Sequence, residues 1–481
     1  MRRWQSRAGA NALLSHGGLK VSARSFELNE MRRSSSMIDK YAIITILACA
    51  FVTIIDPLYI WWAGGSGDIR DAQPGLTNRL FWPTVTALVL ALALGNHSRL
   101  SKLKIAPHIV CLLLYAGFAG LSVLWAFKPA TSFTRFTQEA MVITSIVLPA
   151  MLAGGRVDLM RGVTLCFSIA VFLNVLFLFT NSEADIHHLG GYQGYFLGKN
   201  YLGEFAAPAL LLALHEAIST RGRRGVGIIV AAMAIVLLIM SGSKTAFAVA
   251  FIAPCLASAV LFIRKYGRVS IAVVLLTIPL GYIVLNQISP NINTGRLSYM
   301  MYGDSTFTGR TIIWDFAQRE IDRRPLLGWG YQSFWLVGLD GPSITDAPGF
   351  VKNMPNAHNG YYDTQLEVGY VGFTLLIAFV LSTLHAIGRV ADRDPARARI
   401  VLSLALYIII HNFLESLWMK GYEFLWVLFL LLAADIARYW QPSAQMRTFV
   451  RRGPRGRALV AAGQATERDR LAGPDLIAQV I

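Results

Sequence analysis

The residues of this chain best placed to do chemistry lie in polar stretches that interrupt long apolar runs. In Asn356-Ala357-His358-Asn359-Gly360 a histidine stands just ahead of an expected helix start, with Asp363 and Glu367 five and nine positions on. Imidazole is the side chain best matched to general-base work near neutral pH; a loop histidine bonded to backbone is the plainer alternative. In Thr308-Gly309-Arg310-Thr311-Ile312-Ile313-Trp314, Arg310 opens an amphipathic helix expected to run to about Ile321. A guanidinium there can grip phosphate through two parallel bonds, or it can pair with Asp304 or Asp315. Lys244 follows Ser241-Gly242-Ser243 at another expected helix start, where the Ser243 hydroxyl and unpaired N–H groups add to its charge for an anionic headgroup. A snorkelling lysine is the alternative.

Lys199 and Asn200, in Gly198-Lys199-Asn200-Tyr201-Leu202-Gly203, suit an anion or a sugar, or simply turn the chain into a helix. The segment Arg324-Pro325-Leu326-Leu327-Gly328-Trp329-Gly330-Tyr331 reads as a helix stop and tight turn, with Trp329 and Tyr331 as a platform for sugar rings. Interfacial anchoring is the other use of such residues. His187 and His188, with Glu183 and Asp185 nearby, lack metal-ligand spacing, so no metal site and no cofactor are expected.

Composition decides what must position these groups. The 481 residues are 54% hydrophobic and 15% charged, against about 25% charged in an average soluble domain. The mean hydropathy is +0.49. A membrane span needs about 20 mostly apolar residues, and backbone groups in lipid must bond within their own segment. The expected class is therefore an all-α polytopic membrane protein. The +16 formal charge lies largely in tails and short connections, with nothing like a nucleic-acid recognition module, so nucleic acid is excluded as a partner. Cys49, Cys111, Cys166 and Cys255 sit inside apolar runs and read as small hydrophobes.

Twelve spans are expected, at roughly 41–60, 80–96, 105–126, 137–154, 162–180, 201–219, 226–241, 245–263, 269–288, 366–388, 400–416 and 422–439. Residues 1–38 and 441–481 read as basic cytoplasmic tails around a 39–440 transmembrane domain. Alternate connections are rich in arginine and lysine: 99–104, 156–161, 221–224, 264–268 and 389–399. The positive-inside rule puts these, and both termini, in the cytoplasm. The insert between Ile288 and Leu366 then faces outward as a partly helical periplasmic loop over 289–365. A structureless connection longer than about 15 residues is uncommon unless functional or disordered. The topology brings it to the same face as the 198–203 and 241–245 elements.

In order along the chain, Gly198-Lys199-Asn200-x-x-Gly203, Ser241-Gly242-Ser243-Lys244, Gly309-Arg310-x-x-x-Trp314, Pro325-Leu326-x-Gly328-x-Gly330 and His358-Asn359-Gly360 resemble the O-antigen ligase/polymerase superfamily of membrane glycosyltransferases. The resemblance covers about 180–440, and His358 with Gly369 meets the family's histidine-ten-residues-glycine pattern. The wording Ser-Gly-Ser-Lys-Thr and Ala-His-Asn-Gly-Tyr is most similar to the exopolysaccharide polymerase branch. Lys244 stands where many relatives have arginine, keeping the charge but losing the fork; Trp314 stands where ligases have leucine.

The resemblance implies a GT-C-like fold and a metal-independent, inverting transfer at the periplasmic face of the bacterial inner membrane. The donor would be a glycan on undecaprenyl diphosphate, the acceptor a growing polysaccharide, and a chain-length regulator a possible partner. Lys244 and Arg310, with Lys199, would hold the diphosphate. His358 would take the acceptor's proton, with Asn200, Ser243, Asn359, Trp329 and Tyr331 lining the substrate. Ligation of glycan to lipid A core or to protein is the alternative within the class; a secondary transporter is the more distant one.

Overall fold

The computed structural model describes residues 37–58, 76–153, 158–180, 190–288 and 309–440, with isolated residues between 295 and 307. The tails, the His187-His188 pair and Asp304 lie outside the described residues. Thirteen helices carry the architecture: α1 Met37–Leu58, α2 Leu76–Leu94, α3 Pro107–Leu121, α4 Pro129–Leu152, α5 Leu159–Thr180, α6 Lys199–Ser219, α7 Arg224–Met240, α8 Lys244–Gly267, α9 Ile271–Ile288, α10 Arg310–Arg323, α11 Gly360–Arg393, α12 Pro395–His411 and α13 Phe424–Ala437. A helix falls at each of the twelve expected apolar runs, and α10 is the helix expected in the insert. Six of them (α1, α3 with the turn that extends it, α5, α6, α8 and α11) are long and apolar enough to cross a membrane by length and composition.

Helices that are apolar all round do not say which face meets protein and which meets lipid; small residues decide it by letting backbones approach. Along α6, Gly203, Ala206, Ala207, Ala209, Ala213 and Ala217 are buried, and the position of a side chain at Gly227 on α7 is already taken by the Ala213–Ala217 backbone. α6, α12 and α13 consequently form the centre, with every residue of α13 buried. α1, α5 and α8 are only one-third buried and stand on the perimeter. All four cysteines are free. Cys49 and Cys166 are buried as expected, whereas Cys255 is exposed on α8.

Two boundaries differ from expectation in ways that matter. The run read as a span over 400–416 is helical only to His411; the chain then turns back on itself through Asn412–Glu423. The span expected over 366–388 begins earlier, at Gly360, and breaks at Gly369, whose backbone is left-handed at φ 62°. The break is bridged by the Pro325–Gly330 turn. Trp329 and Gly330 donate their N–H groups to the Leu366 and Glu367 carbonyls at 2.8 Å, and the Tyr370 N–H reaches the Pro325 carbonyl at 2.8 Å. A side chain at Gly369 would meet the Leu326 carbonyl oxygen at 2.2 Å. The glycines of this turn and of the break thus exist so that two backbones can exchange hydrogen bonds, as buried peptide groups require.

The insert has a small core of its own, built from Ile313, Phe316, Ile321, Trp329, Phe334, Trp335 and their neighbours. It is also tied to the α3–α4 connection: Lys128 N–H donates to Ser333 Oγ at 2.7 Å, Ser132 Oγ–H to the Tyr331 carbonyl at 2.7 Å, and Tyr331 N–H to Ser122 Oγ at 2.8 Å. It is a compact layer fastened to one end of the bundle.

Candidate functional site

Three helix starts and one turn meet beneath this layer: the starts of α6, α10 and α11, and the turn between α12 and α13. At their junction sits Glu415. One carboxylate oxygen accepts from Arg310 Nη2 at 2.6 Å and from Asn200 Nδ2 at 3.4 Å; the other lies 3.0 Å from His358 Nδ1. Charge-assisted bonds of this length are the strong ones. Arg310 and Glu415 are 12% and 15% exposed, so water screens their attraction little, while His358 at 30% remains reachable.

Local sequence explains why His358 stands there. His358 adopts φ 47°, in the left-handed region that histidine enters more readily than most residues. Its N–H is bonded to Asn356 Oδ1 at 2.9 Å. Asn359 caps α11, its Oδ1 accepting from the N–H groups of Tyr361 and Tyr362. Gly360 donates its N–H to the carbonyls of Asn412 and Glu415, and a side chain there would strike Asn412 Oδ1 at 2.3 Å. His358 thus offers the base, Asn359 the cap, and Gly360 the close approach to the turn that carries Glu415. Gly309-Arg310-x-x-x-Trp314 is the matching half. Residues four apart share a helix face, so Arg310 reaches Glu415 while Trp314 Nε1–H holds the Ala357 carbonyl at 3.0 Å.

Burial pushes the Glu415 carboxyl up, but the His358 hydrogen bond and the Arg310 charge outweigh it and hold the group below the ordinary carboxylate range. Glu415 is thus an anion that fixes the imidazole by one nitrogen and the guanidinium by one edge. A second buried pair lies behind it, with His411 Nε2 at 3.2 Å from Glu204 Oε1 on α6. Lys420, further along the same turn, is 3.1 Å from Glu367. Burial lowers its pKa, yet the Glu367 and Asp363 charges outweigh this and raise it. A cavity of about 220 Å³ opens nearby between Arg135, Gln332, Lys420 and Glu423.

The structure joins His358, Arg310 and Asn200 directly, and Asn359 through the α11 cap. Lys199, Ser243 and Lys244 form an adjacent group: Ser243 caps α8, accepting from the Ala246 N–H at 3.4 Å, and Lys244 is exposed in its first turn. A side chain at Gly203 would lie 2.7 Å from Ser243 Cβ, so the starts of α6 and α8 are packed side by side.

Trp329 and Tyr331 are placed differently from a platform. Both are buried, at 8% and 1% exposure. Trp329 Nε1–H donates to the Glu320 carbonyl while Arg324 covers its ring at 4.0 Å, and the Tyr331 hydroxyl donates to the Met419 carbonyl at 2.6 Å. Neither ring is open to stack on a sugar: Trp329 is enclosed in the insert's own core, and Tyr331 ties the insert to the turn between α12 and α13. Arg310 likewise pairs with Glu415 rather than with Asp315. Among the described residues no group of three His, Cys, Asp or Glu side chains gathers as metal ligands.

Glu415, His411 and Glu204 escaped the reading of the sequence because all three fell inside runs read as spans. The signal was present, since an ionisable side chain within an apolar run is a functional hypothesis by default.

A bundle of apolar helices capped by a layer that completes a polar site at one end defines a multi-pass membrane protein. Residues 229–377 match the O-antigen ligase family model. The chain is 24% identical over 320 residues, 62% of this chain and 70% of the relative, to the exopolysaccharide production protein ExoQ of Rhizobium meliloti (strain 1021). Both comparisons support a likeness to the O-antigen ligase/polymerase family, with an ExoQ-like relative. The family match takes in Lys244, Arg310, His358 and Gly369, while Lys199, Asn200 and Glu415 lie outside it.

Proposed function

We propose that the protein polymerises oligosaccharide repeat units carried on undecaprenyl diphosphate into exopolysaccharide, at the periplasmic face of the inner membrane. The observation that carries this reading is Glu415 clasped between Arg310 and His358 where three helix starts meet the turn between α12 and α13. An acceptor hydroxyl loses its proton to the His358 nitrogen not engaged by Glu415. Its oxygen attacks the anomeric carbon of the lipid-linked sugar from the side opposite the diphosphate, so the configuration inverts. The carbon–oxygen bond to the diphosphate breaks, and the lipid diphosphate leaves with the electron pair. Arg310, Lys244 and Lys199 offset the charge that develops there, aided by the N-terminal dipoles of α6 and α8. These cations supply the charge, so the transfer is metal-independent.

Orientation follows from charge. Arg99, Arg223, Arg264 and Arg397 lie at the end of the bundle away from Glu415, which supports an orientation with both termini in the cytoplasm by the positive-inside rule. The ExoQ likeness favours polymerisation, while the family description O-antigen ligase keeps transfer to lipid A core as the second reading. Purified protein given lipid-linked repeats alone separates them: elongation without lipid A core supports the polymerase, and transfer seen only with core supports the ligase. In cells, His358→Ala or Arg310→Ala should stop polymer growth at a single lipid-linked repeat with protein levels unchanged. Normal polymer from both variants would remove the site assignment, and loss of substrate uptake instead would favour a transporter.

A further inference from the structure

At the end of the bundle opposite Glu415 lies a cavity of about 830 Å³, between the end of α8, the start of α9, the end of α11 and the start of α12. α12 links the two ends, running from Pro395 in the cavity wall to His411 beside the site, about 25 Å along the helix axis. The lining is strongly cationic, with Arg264, Lys265, Arg268, Arg389 and Arg399 against one carboxylate, Asp392. Asp392 is already engaged, bound by both terminal nitrogens of Arg264 at 2.9 and 3.0 Å. Lys265, Arg268, Arg389 and Arg399 are exposed and pair with no carboxylate among the described residues. Two connections distant in sequence, 264–268 and 389–399, thus fold into one basic bowl.

The remaining walls are apolar. Leu261, Phe262 and Ile271 line the same space, and Phe262 is 63% exposed on α8, a perimeter helix. A soluble anion would use the cations and leave these walls wet. An amphiphile with a phosphate head and acyl chains fits both surfaces, since basic pockets between helices at a membrane surface suit anionic headgroups. The chain's own C-terminal tail is a poor occupant: residues 441–481 carry seven arginines against Glu467, Asp469 and Asp475.

We propose that this cavity is a binding site for an anionic phospholipid, its phosphate held by Arg268, Arg389 and Arg399 and its chains laid against Leu261 and Phe262. The site braces the turn between α11 and α12, whose far ends carry His358 and Glu415. The test titrates full-length protein in detergent with phosphatidylglycerol, phosphatidylcholine or inorganic phosphate, reading bound lipid by native mass spectrometry and thermal stability in parallel. Saturable binding of phosphatidylglycerol is expected, with phosphatidylcholine about tenfold weaker or worse. Arg268→Glu with Arg399→Glu should abolish the difference, while Arg319→Glu on α10 leaves it intact. If the double variant does not fold, Arg268→Gln with Arg399→Gln gives the same comparison. Equal binding of both lipids, or an undiminished preference in the double variant, overturns the site. Saturation by inorganic phosphate that blocks phosphatidylglycerol overturns the lipid and leaves a soluble phosphate compound as the ligand.

Discussion

Replacing Glu415 by glutamine tests the site at the point where its parts join. The carboxylate accepts from Arg310 and Asn200 on one oxygen and holds His358 Nδ1 on the other. An amide has one accepting oxygen and one donating nitrogen, so it cannot serve both. With the amide nitrogen toward Arg310, two donors face each other and the guanidinium, 12% exposed, loses its counter-charge. With it toward His358, Nδ1 must accept, the proton moves to the other ring nitrogen, and that nitrogen can no longer take one from a sugar hydroxyl. Breaking a buried pair by removing one charge costs about 3 kcal/mol of stability. Losing a positioned base lowers turnover about a hundred- to ten-thousandfold, equal to about 3–5 kcal/mol of barrier.

Elongation of lipid-linked repeats by purified protein, resolved as a ladder on gels, reads the rate; a melting curve reads the stability. The pH dependence supplies an independent sign. A carboxyl held below its ordinary value of 4.5 contributes stability that is complete above that value and is lost as pH falls through the lower folded value. The native melting temperature should therefore fall in acid below about pH 4.5, and the Glu415→Gln variant should lack that part of the slope. A folded Glu415→Gln protein that elongates within about threefold of the native rate refutes the role of Glu415 in preparing His358.

Further outcomes follow from single contacts. Gly369→Ala should lower the melting temperature and the yield of folded protein, because φ 62° disfavours a side chain by about 1–2 kcal/mol and the Leu326 carbonyl occupies its place. Tyr331→Phe removes the bond to the Met419 carbonyl and should cost about 1 kcal/mol in a denaturation assay; elongation per folded molecule should persist, and its loss would return Tyr331 to the substrate. Half-buried Glu423 has its carboxyl pushed up from 4.5 to about 8, by burial first and then by Glu204. A raised acid keeps its proton in the folded state, so stability should decline as pH rises from 4.5 to about 8 and then level off. Glu423→Gln should flatten that decline in the same melting series.

Much of the framework was legible because the hydrocarbon of a membrane permits so few solutions. Apolar runs of sufficient length had to be helices, and each of the twelve runs is one. Gly309 and Ser243 marked the starts of α10 and α8 by the ordinary chemistry of helix caps. His358, Asn359 and Gly360 marked a candidate functional turn by residue type alone. The errors have a common physical origin. Hydropathy averages over a window, so the run over 400–416 swallowed the turn after His411 and hid Glu415. Aromatic residues near an interface look alike whether they stack on a sugar or on a neighbouring ring, and only packing shows Trp329 and Tyr331 enclosed.

The sequence by itself determined the class of molecule and the approximate places of its helices, and it singled out Arg310 and His358 as candidates, because composition, periodicity and caps are local properties. Tertiary structure alone decided that a carboxylate 57 residues beyond His358 would be the atom group to join them. It also decided that Gly369 would open a helix to receive the Pro325–Gly330 turn. Both depend on which backbones can approach one another in space, and no spacing along the chain encodes that.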